Sequence, residues 1–174
     1  MKTHLKTLFL FGLLIAFTSC DPWEWEDGIE DVTTAYSPIY MTRTQLESSI
    51  AYLETEDFIN PGKIYYKGDY IYVTEKYKGI HIIDNRNISN PVKSGFIRIP
   101  GCVDLAIKNN ILYADNAVDL VAIDLNQLPE LVVTERVKGT FPDLIPPDAN
   151  MMPEEYETEN RPNNMIIVEW VLAE

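Results

Sequence analysis

Apolar and polar positions change rhythm three times along this chain. An unbroken apolar run, "TLFLFGLLIAF" at Thr7–Phe17, follows a short basic opening that carries Lys2 and Lys6. Further on, "TRTQLESSIAYLE" sets Leu46, Ile50 and Leu53 at i, i+4 and i+7. That spacing puts them on one face of a helix, so it predicts a short helix over 42–54. Thr44 and Glu47 fit a capping box for its first turn. Pro61 and Gly62 then punctuate the chain, and the period falls to two. Short β-branched and aromatic runs follow, broken by Gly, Asn, Asp and Pro, which predicts strands. The last run, "NMIIVEWV" at 164–171, predicts a terminal strand with Ile166, Val168 and Trp170 on one face. Such a strand is expected to cover an otherwise open sheet edge.

The strand region is written twice. "YKGDYIYV" at Tyr66–Val73 and "IKNNILYA" at Ile107–Ala114 stand 41 residues apart. Aligning them pairs Ile64 with Leu105, Lys67 with Lys108, Gly68 with Asn109, Asp69 with Asn110 and Tyr72 with Tyr113. After a one-residue deletion, Ile80 pairs with Leu120, Ile83 with Ile123 and Asp84 with Asp124. Gly101 and Gly139 close the two units, 62–101 and 102–139. Gly and Asn both tolerate positive φ in a two-residue hairpin loop, so the match covers turn geometry as well as apolar pattern. A period near forty with about four short strands per unit is the signature of propeller-type blades. One blade cannot bury both its faces, and repetition lets the next blade cover it. The expected fold is therefore mainly β: two propeller-like four-stranded blade repeats with a short N-terminal helix and a C-terminal strand. Two units do not close a ring, which needs about four or more blades. Either the two sheets pack face to face, or a second copy of the chain completes the structure.

The N-terminus changes the picture of where this domain sits. The basic opening and short apolar run read as a leader over 1–19, too short for a bilayer anchor. "TSC" follows the run directly, so the small residues and Cys20 resemble a bacterial lipobox, with Phe17 where Leu is preferred. Acylation of Cys20 would tether the protein to a membrane, each buried methylene adding about 0.8 kcal/mol. An unlipidated Cys20 would instead leave a Cys20–Cys102 bridge open, these being the two cysteines.

The formal charge is −13, and losing Lys2 and Lys6 with the leader takes it to −15. That balance disfavours a nucleic-acid role, which needs a basic patch. It also keeps the body off an anionic lipid surface. The stretch 20–41 is acidic and aperiodic and reads as a tether, docking late through Tyr36 and Tyr40. Trp23 and Trp25 belong to a solvated spacer, or sit at headgroup level. The stretch 141–163 carries five of the eleven prolines and six acids. It reads as a long surface loop of disordered type.

"YIYVTEKYKGIHIIDNRNISNP" and "ILYADNAVDLVAIDL" resemble the LVIVD repeat, a propeller-like repeat of extracytoplasmic bacterial proteins. The wider chain resembles the lipoproteins of Bacteroidota that carry it, through Tyr36–Glu47, Asn60–Tyr65, Pro146–Asp148 and Arg161–Trp170. The resemblance implies a cell-envelope lipoprotein, and the acidic stretch after Cys20 resembles export signals of Bacteroidota surface lipoproteins, which implies exposure at the outer membrane. It brings no catalytic residues.

Candidate chemistry is sparse. His81 is the one histidine beyond the leader, and its repeat counterpart is Val121, which points to packing. A single histidine cannot supply a two-histidine zinc site, and no nucleophile elbow occurs. Cys102 reads as a small buried hydrophobe, having no local base to activate it. Asp84, Asp115, Asn116, Asp119 and Asp124 offer calcium-type oxygens, but without loop spacing, and strand-end Asp more often holds the next turn. Tyr65, Tyr70, Tyr77 and Tyr156 would pack, or form a sugar- or protein-binding face. The expectation is a non-catalytic binding or scaffolding module with no cofactor or metal, held to the membrane by lipid. A protein, a glycan or a second copy are its candidate partners. The alternative is a cell-envelope hydrolase, which needs Asp84, Asp115, Asp119 and Asp124 to converge.

Overall fold

A computed structural model describes residues 32–162 and 165–173. The leader, Cys20, Trp23 and Trp25 lie outside the described residues. Among the described residues the chain is mainly β, with eleven strands in three antiparallel sheets and one short α-helix. In order they are β1 (Tyr36–Met41), α1 (Arg43–Glu47), β2 (Ala51–Leu53), β3 (Pro61–Lys67), β4 (Tyr70–Glu75), β5 (Gly79–Asp84) and β6 (Val92–Arg98). Then follow β7 (Leu105–Lys108), β8 (Ile111–Asn116), β9 (Asp119–Asp124), β10 (Val133–Val137) and β11 (Ile166–Leu172).

The two written units fold as two meanders, β3-β4-β5-β6 and β7-β8-β9-β10. Their registers coincide. Tyr65 faces Tyr72 and Ile82 lies beyond, just as Ala106 faces Tyr113 and Ala122 lies beyond. Both first hairpins have two-residue loops, with φ of 59° at Gly68 and 51° at its counterpart Asn109. The bonds outside the ladders repeat too. Asn85 N donates to Asp69 O at 2.7 Å, and Leu125 N donates to Asn110 O at 2.9 Å. Thr74 Oγ1 accepts from Lys63 N at 2.7 Å, and Asp115 Oδ1 accepts from Asp104 N at 2.8 Å. The deletion between the units falls in one turn: Glu75 pairs with Gly79, but Asn116 pairs with Asp119, one residue sooner.

The sheets do not bury equivalent faces. The core between them takes Tyr72, Ile80, Ile82 and Ile97 from the first sheet. From the second it takes Leu105, Ile107, Leu112, Ala114, Val121 and Ile123. The counterparts point the other way: Ile64 and Tyr66, matching Leu105 and Ile107, are 69% and 65% exposed. Tyr113, matching the buried Tyr72, is 37% exposed. Side chains on a strand alternate between faces, so this is the front of one sheet laid on the back of the next. The sheets come closest along their first strands, β3 and β7. There Tyr65 Oη donates to Ile107 O at 2.9 Å, and Lys63 Nζ lies 2.6 Å from Asp104 Oδ1.

Several expectations need correction. The helix expected over 42–54 stops at Glu47, and Ala51–Leu53 instead adds a fifth strand beside β6. As a strand the segment pairs its backbone with β6 and brings Ile50 and Tyr52 onto the inter-sheet core, which offsets the helix it gives up. Thr42, not Thr44, caps the helix, and it shares its box with Gln45, not Glu47. Within the expected tether, Tyr36–Met41 is a strand, and it pairs with β11. The terminal strand therefore closes a separate two-stranded sheet and covers neither edge of the larger two. Its Ile166 and Val168 pack on Leu46 and Ala117, and its Trp170 packs with Tyr77. The proline- and acid-rich stretch holds a defined path over its described residues, 141–162. Arg161, 8% exposed, reaches Asp143 with two hydrogen bonds, Trp170 Nε1 donates to Leu144 O, and Asp148 accepts from Thr34 and Ala35. Among the described residues the sheets form no closed ring or barrel, and no helix is long and apolar enough to cross a membrane.

Candidate functional site

The free face of the second sheet forms the floor of a groove of about 700 Å³. Ala106 and Tyr113 line the floor with Leu120, and the segment from Phe141 to Pro147 makes the wall. Tyr113 is brought there by the same alternation that buries Leu112 and Ala114 on the other face. Phe141 is fixed by its amide, which donates to Val118 O at 3.0 Å. Proline at 142, 146 and 147 keeps the wall extended and without spare donors. The result is an apolar concavity with few polar groups, the usual form of a recognition site.

Asp115 is one of three carboxylates lining the groove, with Asp104 and Asp143. Its oxygens accept from Val103 N and Asp104 N, each at 2.8 Å. Burial pushes its carboxyl above the usual range, and the two amides only partly oppose that. Cys102 lies behind it, fully buried in the inter-sheet core, where burial pushes the thiol far up. A buried thiol so raised is a poor nucleophile.

The other acids stand apart. Asp84 accepts from Arg86 N at 3.0 Å and pairs with the Arg86 guanidinium, which holds its carboxyl low. Asp124 likewise accepts from Asn126 N at 2.9 Å and is held low by that amide. Each thus closes the turn after its strand. Asp119 is fully buried between Arg43 of α1, at 2.6 Å, and Arg136 of β10, at 2.8 Å. Burial pushes its carboxyl up, and Arg43, the Gly139 amide and Arg136 more than reverse that. Asn116 joins by accepting from Arg136 and donating to Pro100 O. These two arginines take the charge that a cation would have taken. Among the described residues no group of three His, Cys, Asp or Glu is placed to hold a metal ion.

His81 is 1% exposed, between the rings of Phe58 and Phe96 at 4.1 and 4.8 Å. Its Nε2 lies 3.1 Å from Oε2 of Glu75, itself 3% exposed. A carboxylate only accepts, so Nε2 carries the proton. Glu75 also accepts from the Ile59 and Asn60 amides. Chain order explains the cluster. β2 and β3 occupy opposite edges of the first sheet, so the segment between them crosses its free face, and Glu75 and His81 pin it down. Glu75 was not singled out in the sequence. The signal was the apolar company of its strand, which leaves a lone acid there either at an edge or paired.

The four tyrosines do not make one face. Tyr65 and Tyr70 pack on the inter-sheet core, while Tyr77 and Tyr156 pack with Trp170. Tyr66 and Tyr113 are the tyrosines turned outward. Comparison with protein-family models, with curated proteins and with solved structures found no match to the chain.

Proposed function

We propose that this chain is a cell-envelope lipoprotein, acylated at Cys20, whose two meanders are blade-like repeats of the LVIVD type. It serves as a non-catalytic binding or scaffolding module at the outer membrane, facing the periplasm or the cell surface. The observation that carries the binding reading is the groove: Tyr113, Leu120 and Phe141 form a concave apolar surface on a sheet that already has its other face buried. Packed proteins seldom leave such surfaces idle, and wide apolar patches mark sites of association. The matching register of the two meanders supports the repeat reading. The separation of Asp84, Asp115, Asp119 and Asp124 weighs against a hydrolase, whose carboxylates must converge on one bond.

The test has two arms. In a bacterium that processes lipoproteins, the wild-type chain should take up an alkyne-labelled fatty acid and pellet with the envelope, and Cys20→Ala should do neither. Label-free protein, or membrane retention of Cys20→Ala, would end the anchoring reading. For the groove, an apolar fluorescent dye should bind the purified protein in dilute solution, where single copies prevail, and Tyr113→Asp should abolish its signal. A dye signal indifferent to that substitution would remove the groove as the binding surface.

A further inference from the structure

The way the first sheet receives the second defines what would fit the faces left open. Inside the chain, the Tyr72 face of one unit takes the Leu105–Ile107 face of the other. Part of each half of that interface remains open. Tyr113 presents the first half on the second sheet, and Ile64 and Tyr66 present the other half on the first sheet. We propose that a second copy of this chain docks there, the Tyr113 groove of each copy taking the Ile64–Tyr66 face of the other, so that two chains close a four-sheet ring. This rests on the binding-module reading and names its partner.

Symmetry and charge both favour closure. A head-to-tail contact either closes into a ring or runs on as a filament. Four is the smallest number of blades that commonly closes, and two copies supply it. At the inner edge, Lys63 and Asp104 occupy matching positions in the two units, and they pair across the existing interface at 2.6 Å. In the ring each Asp104 would meet a second Lys63, from the other copy, so the signs alternate around the axis. Lys has three donors and a carboxylate accepts several hydrogen bonds, so both can serve two neighbours. Had the two positions carried like charges, the same closure would set four of one sign together. The crossing segment that Phe58 anchors covers the first sheet over β4, β5 and β6, where Glu75, His81 and Phe96 lie, and leaves the β3 strip of Ile64 and Tyr66 open.

The experiment is sedimentation equilibrium of the full chain in density-matched detergent. Wild type should sediment with twice the chain mass. Tyr66→Asp and Tyr113→Asp should each weaken association by about tenfold or more, because each buries an unpaired carboxylate. Both sites are exposed in the single chain, so circular dichroism should show the fold unchanged. Asp104→Lys should also weaken the pair, and adding Lys63→Asp should restore it. A single-copy mass at high micromolar concentration would overturn the proposal, as would a dimer indifferent to both tyrosine substitutions. In the first case dye binding separates the two failures. A signal that Tyr113→Asp abolishes leaves the groove as a site for another partner, and no signal removes that reading as well.

Discussion

Replacing Glu75 tests whether a buried carboxylate holds the crossing segment to the first sheet. The carboxylate accepts three hydrogen bonds, from Ile59 N, Asn60 N and His81 Nε2, and is 3% exposed. Burial alone would raise its pKa. The Asn60 amide, His81 and the Ile59 amide together bring it below the usual glutamate value. Hydrogen bonds to a charged group contribute about 1.5–3 kcal/mol each, while stranding their donors costs about 3–5 kcal/mol in all. Glu75→Ala should therefore lose about 3 kcal/mol or more. Glu75→Gln keeps the shape and one acceptor, and should lose about 1–2 kcal/mol at neutral pH. The sign of the pH effect follows from the lowered pKa. Stability from Glu75 is complete above the ordinary glutamate value of about 4.3, and is lost as pH falls below it through the folded value. Urea unfolding at a series of pH values should thus show wild type and Glu75→Gln converging as the solution is acidified. Hydrogen exchange at Ile59 and Asn60 should quicken in the variant before the rest of the sheet does. A constant gap between the two proteins at all pH values, with unchanged exchange at those amides, would refute the latch.

Asp119→Ala should cost about 3–5 kcal/mol by urea unfolding, because Arg43 and Arg136 lose their shared buried partner. Asp119→Asn should lose less, and an equal loss would show that charge plays no part there. Gly68→Asn should be neutral within about 0.5 kcal/mol, since its loop position is open and Asn tolerates φ of 59°. Gly79→Ala should unfold the first sheet, since an added Cβ would lie 2.1 Å from Ile97 O, a contact no neighbour can relieve by rotation. Thermal melts of the two glycine variants compare them directly, and similar melting points would contradict the turn geometry.

What was legible in the sequence is what local chemistry decides. Gly68–Asp69 and Asn109–Asn110 announced their hairpins because few residues accept positive φ. Asp84 and Asp124 announced turns because their side chains reach an amide two residues on. The illegible parts were settled at a distance. Leu46, Ile50 and Leu53 satisfy a helical period, yet Ile50 and Tyr52 find the inter-sheet core and Ala51–Leu53 finds the β6 edge. Nothing near Ile166 tells that its partner strand begins at Tyr36, 130 residues earlier. Composition misled at 141–163, where Arg161, Asp143 and Trp170 supply order that proline and acid counts do not register. For the site, Tyr113 was marked only as the counterpart of Tyr72. Which of the two would be buried depends on how the sheets stack, because both faces of each meander are apolar. Asp119 stood out as an oxygen ligand, and only the fold brings Arg43 and Arg136 to it.

Front-to-back stacking of two matching sheets is the claim on which the rest depends, and paired truncation measures it. Leu105 and Ile64 occupy the same register position, one 3% and the other 69% exposed. In dilute solution, urea unfolding should show Leu105→Ala losing about 2–5 kcal/mol and Ile64→Ala losing about 0.5 kcal/mol or less. Equal losses from the two would mean that the sheets meet through equivalent faces, and the account would fail.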